Sequence, residues 1–314
     1  MRFKRLWLTV CLLCAFAANA LAGYPNFADF SEKYAEKFSL TGAEWTENGY
    51  RSPNIALEIK VLRQDNSDVY VADIYVRSVE YLQRAFGSEN WGRGSKKVAT
   101  MAQEHNAILA ITGDNAQHLK AGYITGNGEV FRDRGNNVRD LCVIYTDGTM
   151  QTHYAKADHD LINQQVDDGL VWQSFVFGPA LLDAQGKALT VFPNSDVNSE
   201  NPRAVIGYYE PGHFCLVQID GRGTASAVEE KKTNKGMTLE QTAALMESLG
   251  CTAAYNLDGG QSALMWYKDG ILSTPYHGGR AVGDVIILCD DAAMLPAAEE
   301  TEEVLDLSDF EVTE

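Results

Sequence analysis

The amino-acid sequence predicts an α+β fold, in which a mixed β-sheet and packed helices form one domain. Three observations predict it: apolar runs of strand length end at glycine-flanked turns, one segment has helical periodicity with a capping signal, and residues 50–290 contain neither a linker nor an internal repeat. Of the 314 residues, 45% are hydrophobic and 22% are charged, which excludes disordered, collagen-like and coiled-coil proteins.

The N-terminal residues 1–22 have the layout of a secretory signal peptide. Arg2, Lys4 and Arg5 precede an apolar run, and small residues follow at the end of that run. The run covers about 13 residues, fewer than the roughly 20 that span a bilayer; an uncleaved anchor is the alternative. We therefore expect a secreted or extracytoplasmic protein with no integral membrane span after cleavage.

Residues 23–50 are predicted to form a helical lead-in that packs on the domain. Its aromatic residues recur at helical spacing, at Phe27, Phe30, Tyr34 and Phe38. The domain predicted to follow spans residues 51–289. It begins with two strands of alternating polarity, 54–62 and 69–76, which are joined at the turn Asp65-Asn66-Ser67.

Further helix and strand signals follow along the domain. A helix is predicted at 98–105, and an apolar run at 107–112 predicts a strand that is buried on both faces. The clearest helix begins with a capping box of Thr238 and Gln241 and ends at Gly250. Three turn dipeptides predict hairpins: Asp147-Gly148, Pro211-Gly212 and Asp269-Gly270.

The C-terminal residues 290–314 are predicted to be an acidic, disordered tail. They contain ten acidic residues and neither Lys nor Arg. The whole chain has 26 basic and 43 acidic residues, so its formal net charge is −17. Because nucleic-acid binding needs a basic face, this charge argues against nucleic acid and anionic membranes as partners.

Four cysteines lie in the predicted domain: Cys142, Cys215, Cys251 and Cys289. Four cysteines allow three different pairings, and the sequence does not choose between them. All four lie in or beside apolar, strand-like runs. Buried free thiols and disulfide bridges therefore both stay open.

Several predicted strands end in polar residues beside glycine, which is typical of binding loops. The segments are Gly113-Asp114, Asp220-Gly221-Arg222 and Asn256-Leu257-Asp258-Gly259-Gly260. Strand alternation places Asn256 and Asp258 on one side, so both can face one pocket. Arg203 and Arg222 are suited to paired hydrogen bonds with a phosphate. The sequence contains no nucleotide-binding loop, serine elbow or zinc-protease motif.

The segments 201–207, 220–222, 236–238 and 256–262 resemble the phosphodiester glycosidase family in order and spacing, and Arg280 before the last predicted strand also fits. Two earlier segments, 110–114 and 177–182, resemble the N-terminal half of that family. The resemblance covers roughly residues 55–290. It implies an exported hydrolase that cleaves a sugar-1-phosphodiester of the GlcNAc-1-phosphate type at the anomeric C–O bond. A sugar phosphodiester or a cell-envelope glycopolymer would be the substrate.

For this chemistry we expect Asp258 to act as the base or the nucleophile, with Asp114 as the second candidate. Arg203 would bind the developing phosphate charge, assisted by Arg222 or Arg280. Asn256 would hydrogen-bond a sugar hydroxyl or acetamido group. The other residues expected to contact substrate are Gly113, Asp220, Gly259, Gly260 and Ser262.

Two alternatives from other classes stay open. The chain departs from the family pattern at Asn115 and Ala116, which leaves a non-catalytic module that binds a wall polymer. A metal-dependent phosphodiesterase would instead cut the P–O bond, with Ca²⁺ or Mg²⁺ held by Asp114, Asp220 and Asp258. The glycosidase itself needs no cofactor.

Overall fold

Antiparallel β-strands dominate the computed structural model of this protein. The structure describes residues 26–89, 91–119, 122–132, 139–155, 159–193 and 195–291, all in one compact unit. The predicted leader at 1–22 and the predicted tail beyond residue 291 lie outside this range. Among the described residues, no helix is long and apolar enough to cross a membrane.

The strands, in chain order, are β1 (Glu44–Trp45), β2 (Gly49–Arg51), β3 (Ile55–Gln64), β4 (Ser67–Val76), β5 (Leu82–Phe86), β6 (Lys96–Lys97), β7 (Leu109–Thr112), β8 (Ile124–Gly126), β9 (Glu129–Arg132), β10 (Leu141–Tyr145), β11 (Met150–His153), β12 (Val171–Phe175), β13 (Arg203–Glu210), β14 (His213–Ile219), β15 (Thr224–Ala225), β16 (Thr233–Asn234), β17 (Ala253–Asn256), β18 (Met265–Tyr267), β19 (Gly270–Ile271), β20 (Ala281–Val282) and β21 (Asp284–Leu288). The α-helices are α1 (Val98–Glu104), α2 (His159–Asp167) and α3 (Leu239–Ser248). Short 3₁₀ turns lie at Val79–Tyr81, Ala116–His118 and Tyr276–Gly278.

The predicted α+β class with packed helices is therefore wrong, because the fold is mostly β. Of the described residues, 38% are in strands and 13% are helical, and three α-helices lie among them. These helices have only 7, 9 and 10 residues, so strands supply most of the regular structure. Short apolar runs do not distinguish a buried strand from a buried helix, which is why the sequence pattern overestimated the helices.

The largest sheet has seven antiparallel strands in the order β1-β2-β3-β4-β14-β13-β17. The predicted hairpin of β3 and β4 is confirmed. Its turn residues Asp65 and Asn66 have φ values of 47° and 59°, as a two-residue turn that matches strand twist requires. A second sheet has the order β19-β18-β7-β21-β5, and a third has the order β11-β10-β12.

Helix α3 packs on one face of the large sheet. Leu239, Ala243 and Met246 of the helix share a buried cluster with Val205 and Val217 of the sheet. The predicted capping box at its start is confirmed, since the Thr238 hydroxyl accepts the Gln241 N–H and the Gln241 side chain accepts the Thr238 N–H. This helix leads directly into β17 and to the loop after it.

The lead-in predicted to be helical contains no helix between residues 26 and 50. Residues 31–37 form consecutive turns instead. The aromatic spacing still has a structural basis, because Phe30, Tyr34 and Phe38 pack together against Ala56 of β3. Packing on the sheet fixes these side chains, and only isolated turn hydrogen bonds such as Tyr34 N–H to the Phe30 carbonyl form locally.

Candidate functional site

The antiparallel register of three strands brings the candidate residues together. Strand β13 lies between β14 and β17 and runs opposite to both, so its beginning lies beside their ends. Arg203 begins β13 and pairs with Ile219 at the end of β14. Asn256 ends β17 and pairs with Val205. The loops after β14 and β17, which carry Arg222 and Asp258, therefore emerge next to Arg203.

Where these loops leave the strand ends, there is a cavity of about 290 Å³. Its lining combines three arginines, one carboxylate and two glycines with a few other side chains. The lining residues are Phe177, Val197, Asn201, Arg203, Arg222, Asp258, Gly259, Gly260, Gln261 and Arg280.

Asp258 is the carboxylate of this cavity, and its side chain is only 7% exposed. Arg280 Nη2 lies 3.2 Å from Asp258 Oδ2, and Arg280 Nε donates to Ser262 Oγ at 2.6 Å. Burial raises the pKa of Asp258 above its ordinary value, while hydrogen bonding with Ser262 and the charge of Arg280 oppose that shift. A buried carboxyl beside one guanidinium is suited to proton transfer or to nucleophilic attack.

Arg203 is held almost entirely inside the protein, with 2% of its surface exposed. Its Nε donates to the Met237 carbonyl at 3.0 Å, and its Nη2 donates to the carbonyls of Val197 and Ser199 at 2.7 and 2.6 Å. Burial lowers the pKa of Arg203 to about 10, so the side chain is charged at neutral pH. No carboxylate within the described ranges pairs with it, which leaves a buried positive charge without a counter-ion.

Arg222 lies on the open side of the cavity. Its Nε and Nη2 donate to Asn201 Oδ1 at 3.2 and 2.9 Å, and its guanidinium lies 5.4 Å from the ring centre of Tyr276. Its backbone φ is 57°, a left-handed conformation that is costly for a residue with a side chain. Like Arg203, it has no carboxylate partner in the part of the chain that the structure describes.

The two glycines after Asp258 allow the Pro202 carbonyl and the Arg222 guanidinium to lie close to the backbone of this loop. A Cβ on Gly259 would lie 2.6 Å from the Pro202 carbonyl oxygen. Gly260 has φ of 62°, and a Cβ there would lie 2.9 Å from Nη2 of Arg222. The loop is anchored by the N–H groups of Asp258 and Gly260, which donate to the carbonyls of Gly113 and Pro202.

Asp114 lies behind the cavity and does not line it. It is fully buried and accepts the N–H groups of Val176 and Phe177 at 2.6–2.9 Å. Arg84 Nη2 lies 3.5 Å from it, and the same guanidinium bonds Asp284 at 2.8 Å. Burial raises the pKa of Asp114, against the charge of Arg84. Through these hydrogen bonds, the Asp114 carboxylate fixes the backbone segment that carries Phe177.

The other expected residues that do not line the cavity are Gly113, Asn256, Ser262 and Asp220. The Gly113 carbonyl accepts the Asp258 N–H, and Ser262 Oγ accepts from Arg280. Asn256 is fully buried, and its Nδ2 donates to the Gly178 carbonyl at 2.8 Å. Asp220 accepts the Thr274 N–H at 2.7 Å, and burial raises its pKa to about 6.

Sequence reasoning did not select four of the lining residues: Phe177, Val197, Asn201 and Gln261. Phe177, Asn201 and Gln261 do lie inside the family-like segments 177–182, 201–207 and 256–262. Their positions there are the available signal. Val197 lies in none of these segments and carries no chemical signal of its own, because it reaches the cavity through the path of the backbone.

The carboxylates of the metal-dependent alternative do not form one ligand set. Across the described residues, no group of three His, Cys, Asp or Glu side chains is arranged to hold a metal ion. Asp114 is bonded to the backbone at Val176 and Phe177, Asp220 to Thr274, and Asp258 faces Arg280. The donor set expected from the sequence therefore does not fit a shared Ca²⁺ or Mg²⁺ ion.

The chain is similar in sequence or in fold to several known proteins. A YomE protein from Bacillus subtilis (strain 168), prophage-derived and uncharacterized, is 26% identical over 196 residues, which cover 60% of this chain and only 28% of YomE. The catalytic domain of zebrafish N-acetylglucosamine-1-phosphodiester alpha-N-acetylglucosaminidase, auto-inhibited by its pro-peptide, has a TM-score of 0.58 at 20% identity, covering 76% of this chain and 83% of that domain. A hypothetical protein from Synechocystis has a TM-score of 0.57 at 12% identity, covering 75% and 62%.

At these identities the two structures show a shared fold alone. The family model of the phosphodiester glycosidases (NAGPA) matches residues 105–289, which is more than half of the chain and includes every residue that lines the cavity. This match confirms the resemblance of the sequence motifs, and the protein belongs to the phosphodiester glycosidase family.

Proposed function

We propose that this protein hydrolyses a sugar-1-phosphodiester at the anomeric C–O bond and releases the free sugar. The observation that carries the proposal is the charge arrangement of the cavity. Arg203 and Arg222 have no carboxylate partner among the described residues, while Asp258 lies beside Arg280. This arrangement attracts one anionic group and presents one carboxylate next to it.

The two arginines would bind the phosphate group of the substrate. Arg203 is preorganised, because three carbonyls fix its guanidinium before any ligand arrives. Its charge would stabilise the negative charge that develops as the C–O bond breaks. The leaving phosphomonoester is a weak base, so the reaction depends less on protonation of the leaving group than ordinary glycoside hydrolysis does.

Asp258 would act at the anomeric carbon. An oxocarbenium-like transition state needs a carboxylate nearby, either to activate water or to form a covalent intermediate. Arg280 and Ser262 orient this carboxylate and oppose the rise in its pKa, which favours the ionised form. Phe177 lines the same cavity and offers an apolar surface to the sugar ring.

The name of the zebrafish relative makes an N-acetylglucosamine-1-phosphodiester the first substrate to test. We also infer that the protein acts outside the cytoplasm, since residues 1–22 resemble a signal peptide. Cell-envelope glycopolymers with sugar-phosphate linkages would be accessible there. The intact mass of protein recovered from the producing cell, lighter by residues 1–22, checks this inference.

The decisive experiment incubates the protein with a GlcNAc-1-phosphate diester in ¹⁸O-labelled water and identifies the products by mass. Cleavage at the anomeric C–O bond releases free sugar and leaves the phosphomonoester without ¹⁸O. Cleavage at either P–O bond places ¹⁸O in the phosphate product, which would refute the proposal. A complete lack of turnover across sugar phosphodiesters would favour the binding module instead.

The variant Asp258→Asn tests the assigned carboxylate. We expect kcat to fall by roughly 10³-fold or more, as for the loss of an essential catalytic carboxylate, with an unchanged unfolding temperature. Asp269→Asn is the matched control, because Asp269 is exposed in the hairpin turn between β18 and β19. Wild-type turnover by the Asp258 variant would remove Asp258 from the mechanism.

A further inference from the structure

Two of the described cysteines, Cys215 and Cys251, meet beneath the surface between the large sheet and α3. Their Sγ atoms are 3.6 Å apart, and both residues are thiols in this structure. Cys215 is 0% exposed and Cys251 is 3% exposed. Cys289 is placed differently, since its thiol donates to the His105 carbonyl.

A glycine makes room for the two sulfur atoms. Gly207 of β13 is directly opposite Cys215 in the register with β14. A Cβ on Gly207 would lie 2.6 Å from the Cys215 sulfur and 2.8 Å from the Cys251 sulfur. Both sulfurs therefore occupy the space above this glycine, on the same side of the sheet.

The backbone on both sides of the pair is fixed by regular structure. Cys215 lies inside β14, which is hydrogen-bonded to β13 and β4. Cys251 follows α3 and donates its N–H to the Met246 carbonyl, and the next residue, Thr252, donates to the Tyr208 carbonyl. The two thiols are thus held near each other by the fold, independently of any interaction between them.

We propose that Cys215 and Cys251 are a modification site, at which the two thiols form an intramolecular disulfide when the chain folds in an oxidising compartment. A disulfide requires a sulfur separation of about 2.05 Å, so the sulfurs must approach by side-chain rotation. The oxidant is a small-molecule disulfide such as oxidised glutathione. One thiolate attacks it and releases one glutathione thiol, and the second thiolate attacks the mixed disulfide and releases the other.

The bond forms during folding rather than afterwards. In the folded protein, the hydrogen bond between the two thiols and the burial of Cys215 raise the pKa of the Cys215 thiol well above its usual range. Few Cys215 thiolates are therefore present once the protein has folded. While the chain is still open, both thiols are accessible to the oxidant. Once the sheet and α3 have packed, the disulfide is protected from reductants.

The bridge would enclose part of the candidate site. The two cysteines are 36 positions apart in the chain. The loop between them contains Arg222 and the whole of α3, and it ends just before β17, which leads to Asp258. A disulfide here therefore ties the strand before Arg222 to the segment that leads into the Asp258 loop.

Peptide mapping of the purified full chain tests the proposal. The protein is refolded with oxidised glutathione, free thiols are alkylated in denaturant, and tryptic peptides are identified by mass. We expect the peptide at 204–222 linked to the peptide at 236–268, with the loss of two hydrogens. The oxidised form should melt about 5 to 10 °C above the form refolded in reductant.

Variants separate this pair from the other cysteines. Cys142→Ser and Cys289→Ser should keep the linked peptide and the dependence of the melting temperature on reductant. Cys215→Ser and Cys251→Ser should lose both. The proposal is overturned if the wild-type protein, refolded with the oxidant, carries alkylated Cys215 and Cys251, or if either is linked to Cys142 or Cys289. The wild-type peptide map decides this even if a variant does not fold.

Discussion

Arg222 shows how several weak constraints fix one side chain of the candidate site. Its left-handed backbone, with φ of 57°, aims the side chain across the cavity edge. Asn201 accepts two of its N–H groups, Tyr276 packs against its guanidinium, and Gly260 lies beneath it. A strained backbone conformation persists only where its surroundings determine it, which is frequent at ligand-binding positions.

The substitution Gly260→Ala tests the position of this arginine. The added Cβ would lie 2.9 Å from Arg222 Nη2 at a residue whose φ is 62°, so the guanidinium must shift from the position in which Asn201 accepts its N–H groups. We expect KM for the phosphodiester to rise roughly 10-fold or more, as for loss of a charged hydrogen bond, with a smaller change in kcat. Gly270→Ala is the control, because a Cβ there meets nothing within 4 Å. An unchanged KM in Gly260→Ala would contradict this role of Arg222.

At the residue level, the sequence could identify side chains of suitable chemistry, but not which of them line the cavity and which are buried behind it. Strand alternation placed Asn256 and Asp258 on one side, and both are indeed buried at the end of β17. Only Asp258 lines the cavity, because the Gly178 carbonyl covers the Asn256 side chain. Asp114 is hidden in the same way by the backbone at Val176 and Phe177. Both covering segments come from a distant part of the chain, which local spacing does not reveal.

The secondary-structure elements that could be predicted from the sequence are those whose signals lie close together along the chain. The capping box and terminal glycine predict helix α3, and the alternating polarity on either side of the turn Asp65-Asn66-Ser67 predicts the β3–β4 hairpin. The helix predicted for the lead-in is absent, because its regularly spaced aromatic side chains pack against Ala56 without forming a helix. The pairing of β13 with β17 could not be predicted, since it joins strands that α3 and several loops separate.

The substitution Thr238→Ala tests the contribution of the capping box to α3. It removes the hydroxyl that accepts the Gln241 N–H at 3.1 Å. We expect the free energy of unfolding to fall by about 1 kcal/mol, as measured by urea denaturation. Thr238→Ser keeps the hydroxyl and should remain close to wild type. Equal losses in the two variants would show that the methyl group, rather than the cap, stabilises the helix.

For the whole molecule, net charge and local charge differ in sign. The chain carries −17 in total, yet the cavity has three arginines and one carboxylate in its lining. The field of a cleft depends on the charges that line it, so an anionic substrate can bind to an acidic protein. The overall composition argues against nucleic acid as a partner but could not reveal this local reversal, which requires the folded strand order.

The stability of the whole protein should depend on pH through Asp220. Its pKa is usually 3.8, and burial raises it to about 6, while the hydrogen bond from Thr274 opposes the shift. Between these values the folded state holds a proton that the unfolded state has lost. The stabilisation is therefore fully present below pH 3.8 and is lost as the pH rises through about 6, an effect of about 3 kcal/mol.

The variant Asp220→Asn has no such proton to lose, which provides the test. Urea unfolding of wild type and variant is measured at intervals between pH 4 and pH 7. We expect the difference in the free energy of unfolding, variant minus wild type, to shift in favour of the variant as the pH rises. Parallel profiles for the two proteins would show that the Asp220 pKa is not raised in the folded state. Asp269→Asn, an exposed change, should follow wild type.

The way Arg203 is held has a consequence for sequence divergence. Its three hydrogen-bond acceptors are main-chain carbonyls, of Val197, Ser199 and Met237. A carbonyl is present whatever side chain its residue carries, so these positions can change identity over evolution without moving the guanidinium. The placement of this charge is encoded in the path of the backbone. A relative could therefore keep the same anion site with no sequence similarity at the three residues that hold it.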